Sequence, residues 1–396
     1  MTDTAAPAVD LLSPALYGDL EGMHATFRRL RATSPVHRDE ANALWAVTRH
    51  ADVLDVEHRS DVFCSGRGYR SHWEPDEDNM IALDDPRHLE QRRLVNRRFT
   101  PRAVAGLEGY LADLVDDLLA GALAGGRMEV VDELAAPLPA RLTAHLLGFG
   151  EEHWPGLKTW SERLMRYDEV DTDPEVAEAF MLAILEFAPV LDATAEARRV
   201  EPADDIVSDW VQAEVGGCPL SQGTLVNEAG LVISGGAETT RTVISRGLAA
   251  FAEHPDQWEA VAADPSLVPG AVEELIRWVT PLNNFFRTVT RDDHIGEQPV
   301  AEGDRVILLY PSANRDEAVF ADPDAFDITR SPNPHVAFGR GTHFCLGANL
   351  ARVELRILFE RLSRRITDLR VTAGPDIEDN IFVSAVRRME LAFSLR

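Results

Sequence analysis

The segment Phe338–Gly347, FGRGTHFCLG, places a lone cysteine, Cys345, among glycines, with His343 two residues before it. A thiolate stays ionised near neutral pH only in positive surroundings or on a metal. Arg340 and His343 stand within five residues of it, and a helix predicted to start just after Gly347 would favour an anion there. Gly339, Gly341 and Gly347 permit tight turns and close approach of backbone to something flat. The competing reading is a buried structural cysteine beside a helix cap.

Three more groupings carry chemistry. LVISGGAETTRTVIS, Leu231–Ser245, lies in a run apolar on nearly all sides, hence a buried helix. Gly235 and Gly236 there each cost about 1 kcal/mol against alanine, and Glu238 is a costly buried charge unless paired or wet. The Thr239 hydroxyl can reach the carbonyl of Gly235, which predicts a bent helix with a locally opened ladder. An alcohol and a carboxylate side by side suit proton transfer to something bound at the notch; the alternative is close helix–helix packing through the glycines. In AVEELIRWVTP, Glu274 and Arg277 share a helical face in an apolar segment, so an interior pair needs a further partner, and Arg330 is the candidate. In DDPRHLEQRRLVNRRF, His88 and Arg92 project from one face, two cationic donors suited to a pair of carboxylates. Arg93, Arg97 and Arg98 read as a basic stripe, a docking face for an acidic protein.

The elements that must position these residues are mostly helical. Periodicity and Pro/Gly punctuation predict helices at 17–32, 50–57, 86–98, 101–124, 138–147, 152–167, 175–199, 204–214, 222–252, 255–263, 269–279 and 348–365. Strands are predicted at 44–48, 284–289, 305–309, and 382–383 with 390–394, and a turn-rich meander at 311–334. The fold class is mainly α with a small β subregion, in one domain over residues 1–396, and no strand-turn-helix carries a dinucleotide fingerprint. A net charge of −27 argues against nucleic acid and anionic membranes as partners. Three scattered cysteines without a CxxC argue against a disulfide framework. The first twenty residues show no basic stretch followed by an apolar one, and no run approaches a membrane span; a cytoplasmic protein without a membrane anchor is expected.

These groupings together resemble one family, the haem-thiolate monooxygenases or cytochromes P450. FGRGTHFCLG matches the family's haem-binding loop at every fixed position, GGAETT resembles its oxygen-activating helix, EELIR its Glu-x-x-Arg helix and FDITR its meander arginine site, in the family's order. The resemblance implies the cytochrome P450 fold, a haem b cofactor, and Cys345 as the axial thiolate on its iron, donating electron density that favours O–O cleavage. It implies that Phe338 screens the sulfur, that Gly347 belongs to the haem loop, and that His88, Arg92, Arg287 and His343 bind the haem propionates. Gly235 and Gly236 would make room for O₂, with Glu238 and Thr239 delivering the protons that split it. Glu274, Arg277 and Arg330 would be structural. Electrons would come from a ferredoxin and an NAD(P)H-dependent ferredoxin reductase, docking near Arg93, Arg97, Arg98 and Arg340.

By family position, the substrate contacts are Met80, Ile81, Val232, Leu282, Asn284, Ile381 and Phe382, a mostly apolar set for a bulky hydrophobic molecule. MIALDDPRHLEQRRLVNRRFTP, DPSLVPGAVEELIRW and SANRDEAVF are similar to actinobacterial enzymes oxidising sterols and related lipids. Tailoring of a macrolide or other polyketide is the alternative substrate reading. A peroxygenase and a non-enzymatic haem-binding protein are the alternatives on the same fold; the Glu238–Thr239 pair argues against the first, and the second would not need Thr239.

Overall fold

The computed structural model describes residues 9–396; residues 1–8 of the N-terminal stretch read above lie outside them. Its organising element is the helix Gln222–Glu253, 32 residues long and so about 48 Å from end to end. Ser221 starts it, its Oγ accepting from the amide of Thr224 at 3.0 Å. Leu225, Ala229, Ile233, Val243, Ile244, Leu248 and Phe251 are buried along its length, so it is held by burial on several sides rather than by one stripe. Packed around it are the helices Pro137–Leu147, Trp154–Leu164, Pro174–Val200 and Val268–Val279. The helix runs unbroken through Gly235–Thr239. Thr239 Oγ1 does donate to Gly235 O at 2.9 Å, but the expected opening of the ladder is absent, because the bond is added to the helical ladder rather than replacing part of it.

The β subregion is two small sheets and two two-stranded hairpins, Glu214–Val215 with Cys218–Pro219 and Asp293–Ile295 with Gln298–Val300. Five strands run in the order Val36–Asp39, Leu44–Val47, Arg305–Leu309, Asn284–Val289 and Phe63–Cys64, and only the Arg305–Leu309 and Leu44–Val47 pair is parallel. A second sheet joins Ile366–Ile377, Val386–Leu395 and Arg127–Glu129. The strand Ile366–Ile377 was not expected: most of its residues are at least partly exposed and Gly374 and Pro375 interrupt it, so it has no apolar alternation to read. Phe382–Val383 contributes a single bridge, Leu282 to Val383, rather than a strand.

Several predicted helices divide or shorten. The 101–124 helix breaks at Leu107 into Pro101–Gly106 and Glu108–Ala122, and the 17–32 helix at Asp19, whose carboxylate caps Leu20–Thr33. The 86–98 helix is α over Arg87–Val95 and tightens to a 3₁₀ turn at Asn96–Phe99. No described helix is long and apolar enough to cross a membrane.

Candidate active site

The cysteine loop is fixed by its glycines. Gly339 and Gly341 have φ of +64° and +68°, a region that side chains rarely adopt, and a Cβ on Gly341 would lie 2.2 Å from the carbonyl oxygen of Glu57. The loop therefore rests directly on the end of the helix His50–His58. The amide of Cys345 donates to Phe338 O at 2.8 Å, closing the turn, and the helix Ala348–Ser363 begins three residues on. Although Cys345 is exposed on its loop, desolvation by the protein around its sulfur pushes the thiol up, while the amides of Gly347 and Ala348 and the charges of Arg92 and Arg352 oppose it. Arg352 also lies over the Phe338 ring at 4.6 Å and pairs with Glu273 at 2.6 Å. Burial would raise Glu273, but hydrogen bonds from His335 and Arg352 hold it down at about 2.

Beside the loop is a cluster of basic groups. The rings of His88 and His343 lie 4.1 Å apart. Burial, and then Arg287, His88 and Arg92, press His343 down to about 2. Neither Arg92 nor Arg287 forms an ion pair among the described residues; each donates to a backbone carbonyl, of Phe344 and Phe286 respectively. An acid that Arg287 acts on is the buried Glu57, raised to about 7 by burial against the pull of Arg287, with one oxygen taken by the Tyr310 hydroxyl at 2.6 Å. His88 is placed otherwise than expected. Its Nδ1 lies 2.7 Å from Met80 O and its Nε2 3.1 Å from Thr342 O, so both ring positions are engaged in tying the Met80–Ala82 turn to the cysteine loop. Ser65 Oγ, 3.2 Å from His343 Nε2, joins the cluster unannounced by any motif.

Opposite this, Gly235 and Gly236 are exposed in the middle of a helix otherwise interior over this stretch, as Cys345 is exposed in its loop. A Cβ at Gly235 or at Gly347 would meet nothing within 4 Å, whereas one at Gly236 would meet Thr143 Oγ1 at 2.8 Å. The two glycines thus divide the two readings between them: Gly235 gives open space, and Gly236 lets the Pro137–Leu147 helix close in. Glu238 is buried, with both oxygens unpartnered by any hydrogen bond and Arg241 Nη1 3.1 Å away. Burial lifts it to about 7 against the pull of Arg241, with Glu162 and Glu378 adding to the rise. Arg241 in turn bonds Glu162, which is part exposed, so a line of ionisable groups leads from Glu238 to the surface.

A flat dianionic macrocycle with a metal at its centre suits this donor set. An exposed sulfur stands on a loop cradled by glycines, open space lies over Gly235 and Gly347, and basic side chains lack the acids that would neutralise them. Burying cations without partners is costly, and carboxylates brought by the cofactor would supply the missing charge.

The substrate contacts divide. Met80 and Phe382 are buried and Ile81, Val232 and Leu282 half-buried; Leu282, Phe382 and Phe285 form one apolar cluster with Met165. Asn284 and Ile381 do not join it, which corrects the expectation. Asn284 Nδ2 donates to Ile381 O at 2.8 Å, while Ile381 packs in a separate core with Tyr17, Phe27 and Phe286. On a strand alternate residues share a face. Asn284 and Phe286 therefore go one way, Phe285 and Arg287 the other, a signal present in the sequence that points to Phe285.

The supporting network is complete. Glu274 accepts from Arg277 twice at 2.7 Å, from Arg330 Nε at 3.2 and 3.3 Å, from Asn333 at 3.1 Å and from the amide of Asp327 at 2.9 Å. Of the expected docking arginines, Arg97 and Arg98 are engaged by Asp209, and Arg98 also by Asp204; Arg340 bonds loop carbonyls, and Arg93 is exposed.

Comparison with known proteins is consistent throughout. The family profile for Cytochrome P450 matches residues 184–368. The chain is 39% identical over 394 residues to a steroid C26-monooxygenase of Mycobacterium tuberculosis, covering 99% of this chain and 98% of that one. It is 36% identical over 363 residues to a methyl-branched lipid omega-hydroxylase of Mycobacterium bovis, covering 89% and 85%. The fold superimposes on the Mycobacterium marinum cytochrome P450 CYP268A2, solved with pseudoionone, with a TM-score of 0.91, 33% identity and coverage of 98% and 100%. Near-complete overlap in both sequence and fold leads to one assignment: the chain belongs to the cytochrome P450 family and is a haem-dependent monooxygenase.

Proposed function

We propose that the enzyme hydroxylates an elongated, largely apolar substrate of the steroid or methyl-branched lipid kind, the whole chain acting as one domain in the cytoplasm. Haem held through a thiolate supplies the reductive activation of O₂ and the insertion of one oxygen atom into a C–H bond. Cys345 provides the sulfur, screened by Phe338 and steadied by the amides at the start of the following helix. Arg92, Arg287 and His343 hold the propionates, and His88 positions the loop between Met80 and Thr342. Met80, Ile81, Val232, Leu282, Phe285 and Phe382 exclude water and orient the substrate over Gly235.

Glu238 holds a proton near neutrality at its unpartnered carboxyl and passes it, through water, to Thr239 Oγ1. That hydroxyl already donates to Gly235 O and so is turned to accept. Arg241 and Glu162 reload the carboxyl from the surface. Electrons arrive from a ferredoxin reduced by an NAD(P)H-dependent reductase, docking on the cysteine side, where Arg93 is the expected basic residue left free.

The observation that carries the substrate class is the 39% identity along 99% of the chain to a steroid C26-monooxygenase, together with the apolar cluster Leu282–Phe285–Phe382. The test is a Soret titration of the haem-loaded protein with steroids, methyl-branched fatty acids and macrolactones, followed by turnover with ferredoxin and reductase. Tight shifts with steroids or branched lipids and singly hydroxylated products are expected. A shift with macrolactones alone would replace the substrate class. Failure of the reduced, carbon monoxide-treated protein to absorb where sulfur-ligated haem absorbs would remove Cys345 as ligand.

A further inference from the structure

Away from the haem site, Arg246 lies on the central helix eleven residues beyond Gly235 and is 9% exposed. Its Nη1 donates to Val279 O at 2.9 Å and to Ser384 Oγ at 2.6 Å. Its Nε and Nη2 donate to no described residue, and among the described residues no carboxylate lies within ion-pair distance of it. The groups around it are also basic. Arg315, 8% exposed, stacks 4.1 Å over Trp278, the neighbour of Val279, and shares Asp324 with Arg28. Arg31 is buried against Ser312 and Glu317. His24, on the same helix as Arg28 and Arg31, has a buried Nε2 with no partner. Four guanidiniums thus face two carboxylates, Asp324 and Glu317.

A guanidinium stays charged at neutral pH, and burying it without a counter-charge is costly. Val279 O, at the end of the Val268–Val279 helix, offsets part of that charge through the negative pole of the helix. The remainder has no source in the described chain. We propose that Arg246, with Arg315 and His24, forms a binding site for one small inorganic anion taken from solution. The free Nε and Nη2 edge of Arg246 is the fork that anions accept from, and the neutral His24 ring supplies a further donor. The direction of the electrostatics agrees: burial and then Arg315 lower Arg246 to about 9, and burial and then Arg315 and Arg246 lower His24. The site clamps together the first long helix, the central helix and the start of the meander, and so acts on stability rather than on chemistry.

The test uses the haem-loaded protein in sodium chloride, sodium phosphate and sodium gluconate at one ionic strength. At a hundredfold excess over Kd, a bound anion should raise Tm by about 3 °C, saturably, in chloride or phosphate over gluconate. Arg246→Leu should abolish the increment. A wild-type crystal soaked in bromide should show an anomalous peak within hydrogen-bonding distance of the Arg246 Nε and Nη2 edge, a measurement that does not depend on a variant folding. A response to only one of the two anions still supports the site and reports its size. No saturable difference in the wild type, an equal increment in Arg246→Leu, or, where chloride stabilises, no bromide at Arg246 overturns it.

Discussion

Replacing Glu274 by Gln keeps the shape of the side chain and removes only its charge. The residue is fully buried, and its two oxygens accept from two guanidiniums, an amide side chain and a backbone amide. After the exchange one end of the side chain turns donor toward Arg277, itself fully buried, and two cations lose their only shared carboxylate. Breaking such a pair by neutralising one partner costs about 3–5 kcal/mol. Arg277 keeps its bonds to the carbonyls of Asn314, Pro323 and Ala325, so the lower end, about 3 kcal/mol, is the expected loss. Against a total stability of about 5–15 kcal/mol, that is a large share. Guanidinium unfolding of the haem-loaded protein, followed together by far-UV circular dichroism and Soret absorbance, measures it as a fall in midpoint at constant slope. A cycle with Arg330→Gln should return a coupling of at least about 1 kcal/mol. A loss below about 1 kcal/mol, or no coupling, would refute the view that this carboxylate holds the meander against the helix.

Gly341→Ala, at φ +68° with its Cβ 2.2 Å from Glu57 O, should deform the cysteine loop and lose haem, read as a fall in the Soret-to-protein absorbance ratio. Gly347→Ala, whose Cβ meets no protein atom, should leave apoprotein stability within about 0.5 kcal/mol while weakening haem binding in titration. Glu238, raised to about 7 in the fold, favours the native state while protonated; that stability is full below the ordinary carboxyl value and is lost as pH rises through about 7. Glu238→Gln should therefore gain on the wild type by up to about 1.4 kcal/mol per pH unit between those limits, and a difference flat from pH 5 to 8 in urea unfolding would contradict the shift. Phe285→Ala should weaken the substrate-induced Soret shift about tenfold, whereas Asn284→Ala should lower Tm and leave that titration unchanged, since its partner is Ile381 O.

What could be read in the sequence followed from how locally each feature is specified. The cysteine loop was legible because its glycines, its sulfur and the helix start lie within ten residues. The Glu274–Arg277–Arg330 network was legible because an i, i+3 pair in an apolar segment demands an outside partner. The central helix was legible from its length and its apolar run, but not its straightness: whether Thr239 opens the ladder depends on how firmly neighbouring helices hold it. Partners that arrive from distant segments left no trace. Ser65 reaches His343 from 278 positions away, and the Met80 and Thr342 carbonyls engage both sides of His88. The ion pairing of the basic stripe was hidden for the same reason, since Asp204 and Asp209, more than a hundred residues on, fold back onto Arg97 and Arg98.

Asn284 is a different kind of miss, because the deciding information was in hand. Once Arg287 is placed toward the haem on a strand, the period of two sends Phe285 to the same face and Asn284 to the opposite one. The family pattern places Asn284 among the contacts, whereas the alternation of the backbone favours Phe285. The hydrogen bonding agrees: an amide facing the apolar cluster would have to give up Ile381 O, and nothing in the side chains of Leu282, Phe382 or Met165 could replace it. On the strand face that carries Arg287 the flanking positions are Phe285 and Val289; Val289 packs in the core with Val47 and Phe63, which leaves Phe285 to join Leu282 and Phe382 at the pocket wall.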